Sequence, residues 1–72
     1  MEEQKLFQTL KELRLLLAQK EAVPPYIIFH DSHLKRLAKE KPRTNEDLVK
    51  IIGEKKVEKY GELIEEILGR FR

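Results

Sequence analysis

Val23-Pro24-Pro25-Tyr26-Ile27-Ile28-Phe29 places two prolines ahead of four bulky apolar residues, and its reading decides the fold class. Tyrosine, isoleucine and phenylalanine favour strands, so residues 26 to 29 can be read as a short one. A strand must pair its backbone groups with a neighbour, and no other segment of the sequence offers that neighbour. The stretch is therefore expected to be an ordered loop or one 3₁₀ turn. Ile27, Ile28 or Phe29 would plug a core supplied by helices.

The flanks carry the helical period. Upstream, Glu3 to Gln19 sets Leu6, Leu10, Leu13 and Leu17 at the 4-3-4 spacing of one face, widened by Phe7 and Leu16. This helix should end before Val23-Pro24, because proline disfavours helical geometry in the residue before it. Downstream, Asp31 is expected to cap a helix that turns Leu34, Leu37 and Ala38 inward and Lys35, Arg36 and Lys39 outward. Pro42 follows its end. Thr44 reads as a second N-cap, with Asp47 where a capping box puts its acid, although Asp is shorter than the usual Glu. Leu48, Ile51 and Ile52 make that helix apolar on one side, and Gly53 suits its C′ position. Val57, Tyr60, Ile64, Ile67, Leu68 and Phe71 form the last stripe, which Gly61 either divides or lets pack closely. The expectation is all-α: a compact bundle of four to five short helices in one domain, 1–72, with a Pro-Pro loop or 3₁₀ turn after the first helix.

Composition narrows the chemistry. The chain has 72 residues, 15 Lys+Arg, 13 Asp+Glu, two His and no Cys. That length suits a single core, and thiolate zinc sites and disulfides are excluded. The stretch without charge that begins at Ala22 stops at Asp31, too short to span a bilayer. Glu2 and Glu3 after Met1 carry the wrong charge for a signal-peptide start. Besides tyrosine, the only hydroxyls are on Thr9, Ser32 and Thr44, and no phosphate-binding loop motif occurs. No independent enzyme and no cofactor are expected. His30 and His33 flank Asp31, but two histidines fall short of the ligands zinc needs, so no metal site is expected either.

Charge is unevenly spread. Residues 33 to 59 hold nine bases and five acids, a surplus of four, while the rest of the chain sums to −2. Lys35 and Lys39 lie four apart on one helix, Lys55 and Lys59 repeat that spacing on another, and Arg36 and Lys56 sit beside them. Such a cluster either neutralises several phosphates or is a solvated surface pairing with Glu54, Glu58 and Glu62.

From Val23 through Phe29 and on through Asp31 to Leu34, the residues resemble the V-P-P-Y-x-[IV]-F-x-D-x-x-L signature of the HRDC domain in its RecQ-helicase form. Leu6-Phe7, Leu10 and Leu13-Arg14 match the family's L-F-x-x-L-x-x-L-R. Leu37-Ala38 with Pro42 and Thr44, and Gly53, Lys56, Tyr60 and Gly61, match two later motifs. The resemblance implies a non-catalytic helical domain of a RecQ-type DNA helicase, active in DNA repair, recombination and replication. It implies an intracellular location at DNA, in a bacterial cytoplasm or nucleoid rather than a eukaryotic nucleus. Implied partners are single-stranded or branched DNA and the helicase core of the parent chain, with no membrane, and a monomer when isolated.

On that resemblance Tyr26 contacts single-stranded DNA, with Lys35, Arg36, Lys39, Lys55, Lys56 and Lys59 as the basic surface. Beside it stands the plain reading of Tyr26 as a core-edge ring with its hydroxyl in water. One position departs from the family: Ile51 stands where the first glycine of G-V-G is usual. A β-branched residue there should extend the preceding helix and crowd any phosphate approaching the backbone. Two other classes stay open. One is a protein-docking module using an acidic face of Glu2, Glu3, Glu12, Glu62, Glu65 and Glu66; the other is an RNase-associated domain that positions RNA.

Overall fold

The structure is a computed structural model and describes residues 2–72; Met1 and the reading of the N-terminus that rested on it lie outside the described residues. Five helices follow in order: α1 (Glu2–Glu21), α2 (Pro25–Ile28), α3 (Asp31–Glu40), α4 (Asn45–Ile52) and α5 (Glu54–Arg70). No strand occurs among the described residues. α1 is the central element, packed on α2, α3 and α5, while α4 closes the far side by bridging α3 and α5.

α1 runs two residues beyond the expected Gln19. It ends where Ala22 adopts a positive φ of 57°. The Val23 amide reaches back to the Ala18 carbonyl at 3.0 Å and the Ala22 amide to Gln19 at 3.3 Å. These are the paired bonds of a Schellman ending, and they turn the chain into the prolines.

The decisive stretch forms a single turn. Its first bond, Ile27 N–H to the Pro24 carbonyl at 3.0 Å, spans three residues; its last, Phe29 N–H to Pro25 at 3.3 Å, spans four. It starts as 3₁₀ and closes as α. Ile28 and Phe29 are buried in the core, whereas Tyr26 is 60% and Ile27 51% exposed. Ile27 therefore does not plug the core. Successive residues on a helical turn point about 100° apart, so four bulky neighbours cannot all face inward.

Asp31 is not the cap of α3. His30 holds the N-cap position, and its backbone N–H donates to His33 Nδ1 at 3.3 Å. Asp31 lies one residue inside the helix, and its carboxylate instead accepts a charge-assisted bond from Arg14 of α1 at 2.7 Å. At α4 the expected cap is present, with Thr44 Oγ1 accepting the Asp47 amide at 3.1 Å. α4 continues through Ile51 and Ile52, both buried, and stops at Gly53, whose φ of 87° and ψ of 160° suit glycine alone. α5 passes unbroken through Gly61. A Cβ there would meet Val57 Cγ1 at 3.2 Å and Leu48 Cδ2 at 4.0 Å, so this glycine serves close packing. Leu16, expected on the buried stripe, is 64% exposed. It lies one residue from buried Leu17, and the turn between them carries it past the edge that α5 covers.

Candidate nucleic-acid interface

α2 presents Tyr26, and three ties fix α2 in place. Pro24 is extended (φ −62°, ψ 147°) and Pro25 opens the turn, so the entry is stiff. The Arg14 guanidinium, only 12% exposed, donates to the Phe29 carbonyl at 3.1 Å as well as to Asp31. The Phe29 ring meets the Tyr60 ring edge-to-face, centroids 5.4 Å apart. The exposed Tyr26 ring thus stands on a turn anchored from α1 and α5.

α5 brings cations to the same turn. Lys56 Nζ lies 3.5 Å from the Ile27 carbonyl and 5.6 Å from the centre of the Phe29 ring. Lys59 pairs with Glu21 of α1 at 2.8 Å and sits over the Tyr60 ring at 5.3 Å. The Tyr60 hydroxyl donates to the other Glu21 oxygen at 2.5 Å. Glu21 is held below the ordinary carboxylate range by Lys59 and then Tyr60, and Lys59 is raised in return by Glu21. Burial, reinforced by the Glu21 bond, raises Tyr60. Lys55 is exposed, and neither it nor Lys56 has a carboxylate partner among the described residues.

The basic residues expected to form one cluster fall into two sets. Lys56 and Lys59 are tied to residues that hold the Tyr26 turn, with Lys55 beside them on α5. Lys35 and Lys39 instead line a groove of α3 against Glu3, Gln4 and Phe7 of α1. Arg36 is engaged by Glu40 on its own helix, at 2.9 and 3.4 Å. The acids proposed to neutralise the α5 lysines, Glu54, Glu58 and Glu62, do not pair with Lys59; Glu21 does, from 38 residues away. Ile27, Glu21 and Arg14 belong to this site and were not singled out as site residues from sequence. In the sequence His33 stands out only as half of a histidine pair too small for a metal site, though its place three residues after His30 matches a capping-box spacing.

A second surface lies between α1 and α5. Leu16 and Leu63, the latter 43% exposed, face a groove of about 250 Å³ with Leu13 and Ile67 at its floor and Glu12 and Glu66 among its walls. No helix of the described residues is long and apolar enough to cross a membrane.

The profile of the HRDC domain matches residues 3–68. The chain is 39% identical over 59 residues to the ATP-dependent DNA helicase RecQ of Haemophilus influenzae, covering 79% of this chain and 10% of that protein. The RecQ helicase of Bacillus subtilis is 36% identical over 64 residues, 86% of this chain and 11% of that protein. That of Pasteurella multocida is 34% identical over 65 residues, 88% and 10% respectively. The chain thus spans about a tenth of the length of the curated relatives it matches. No solved structure gives a significant match. The matched span takes in the Tyr26 turn, its Arg14 clip and the lysines of α5, and on it the chain belongs to the HRDC domain family.

Proposed function

We propose that this domain is a non-catalytic, auxiliary DNA-binding module of a RecQ-type helicase that holds single-stranded or branched DNA weakly. It would act at DNA inside the cell, tethered to the helicase core of its parent chain. The observation that carries the reading is the exposed Tyr26 ring on a braced turn bordered by Lys56. A base stacked on such a ring gains about 1–3 kcal/mol whatever its sequence, provided cations hold the backbone nearby. Ile27 extends the apolar platform beside the ring. Lys55 and Lys56 supply the positive charge, and Lys59 adds to it when a phosphate competes with Glu21. Lys35 and Lys39 form a separate basic strip for a longer or branched ligand, while Arg36 acts with Lys56 on the His33 ring between the two.

The turn at Gly53 is not part of this reading. Its amide already donates to the Val49 carbonyl at 2.8 Å, and Ile51 beside it is buried in the core. Adding oligo-dT to the isotopically labelled domain should move the amide resonances of Tyr26, Ile27 and residues 55 to 59 first. Shifts confined to other surfaces would refute the assignment, and stronger effects from oligo-U would favour RNA.

The groove between α1 and α5 supports a second reading, docking onto protein. Its two exposed leucines fit an apolar partner surface, with Glu12 at the rim and Glu66 already paired with Arg70 at 2.7 Å. Loss of binding to the parent helicase core on Leu16→Asp, with dT binding retained, would establish it.

A further inference from the structure

We propose that His33 contacts the phosphodiester backbone of the strand bound at the Tyr26 turn, and takes up a proton as it does so. The inference rests on the DNA-binding reading above and adds to it a residue and a proton. His33 Nδ1 accepts the His30 amide at 3.3 Å, and an accepting ring nitrogen carries no hydrogen. The neutral ring therefore bears its hydrogen on Nε2, the one polar atom left for a ligand. The imidazole is half-buried and meets the His30 ring edge-to-face at 5.1 Å, so it is held in one orientation.

Two permanent cations lie close enough to act on the ring, and one of them, Arg36, is itself paired with Glu40. Lys56 acts on His33 from α5, and His30 and Arg36 act from its own segment. α2 contributes no carboxylate. The acids that flank it in sequence are occupied: Asp31 by Arg14 of α1 at 2.7 Å, and Glu40 by Arg36 at 2.9 Å. Burial, then Lys56, His30 and Arg36, push the His33 pKa below its ordinary value. These effects favour the neutral ring in the unbound domain.

A phosphate reverses that balance. Its oxygens accept from Nε2–H and offset the neighbouring cations, so the imidazolium becomes favourable in the complex. Protonating Nδ1 sacrifices the bond to the His30 amide, which keeps the proton off until a phosphate arrives. Because the bound form holds more protons than the free form, affinity must rise as pH falls.

The test needs no variant at first. The His33 ring is titrated by NMR between about pH 8 and about pH 5, with and without saturating oligo-dT. The expected result is an upward shift of the His33 pKa in the complex. Affinity for the same oligo-dT should rise with falling pH by up to about tenfold per unit, the limit for one proton. His33→Asn keeps an acceptor for the His30 amide and cannot titrate, so it should lose most of that gain. An unchanged His33 pKa with dT bound, or an unchanged pH dependence in His33→Asn, overturns the proposal while leaving DNA binding intact. Absence of dT binding at every pH overturns the strand-binding reading and this contact together.

Discussion

The Tyr60 hydroxyl donates to Glu21 Oε2 at 2.5 Å, joining two residues 39 apart in sequence at the point where α1 hands over to the proline turn. Lys59 takes the other carboxylate oxygen at 2.8 Å. One acid thus fixes the ring that packs on Phe29 and one cation of the proposed interface. Tyr60→Phe keeps the ring stacking and loses the bond, so it should lower the melting temperature slightly. Glu21→Gln should lower it too, and should strengthen dT binding by releasing Lys59. Thermal melts and anisotropy on the two variants check both statements.

Acid sensitivity follows from the same carboxylate. Glu21, held down by Lys59 and Tyr60, and Asp31, held down by Arg14, both have depressed pKa values in the folded state. Their contributions are present above the unfolded values of about 4.3 and 3.9 and vanish as pH falls through the lower folded values. The melting temperature should therefore fall on acidification below about pH 4, less steeply in Glu21→Gln than in the parent. Equal slopes would contradict the coupling.

Arg14→Ala should leave the part-buried Phe29 carbonyl unpaired and free Asp31. A loss of about 1–3 kcal/mol is expected from the orphaned acceptor, with faster amide exchange in residues 25 to 29. Arg14→Lys should not restore it, since one ammonium does not reproduce a planar fork. Chemical denaturation and hydrogen exchange provide the measurements.

Ile51 and Gly53 should both lose stability to alanine, for different physical reasons. Ile51→Ala removes buried core and should cost about 2–5 kcal/mol. Gly53→Ala meets no neighbouring atom and still should cost about 1–3 kcal/mol, because a Cβ is strained at that backbone geometry. Neither should alter dT affinity once the fold is retained, since neither residue belongs to the proposed interface. Urea unfolding and anisotropy separate the two effects.

The helices were legible because a period of 3.6 leaves its mark on where leucine and isoleucine fall, and Thr44 and Gly53 announce ends through local chemistry. Leu16 was misread because a stripe marks an apolar face without saying how wide a neighbour covers it. Asp31 was misread as a cap because its competitor, Arg14, lies 17 residues away. The members of the proposed site were legible only in part. Tyr26 stood out as an aromatic after two prolines, and the lysine pairs as spacing. Which pairs join Tyr26 depends on how α3 and α5 lie against α1, and no local pattern encodes that. Glu21 and His33 matter through partners on other elements or through a backbone bond, so their roles emerged only with the fold.

The central claim, that a braced tyrosine stacks on bases while α5 lysines hold phosphate, is tested most directly by salt-dependent anisotropy against oligo-dT. Parent affinity should fall near the ~10⁻⁴–10⁻⁶ M range of non-specific binding at physiological salt. Tyr26→Ala should weaken binding by about 1–3 kcal/mol with an unchanged salt slope, because stacking releases no counterions. Lys55→Ala should weaken it at every sequence and reduce the slope by about 1. A folded Tyr26→Ala domain that binds like the parent would contradict the account.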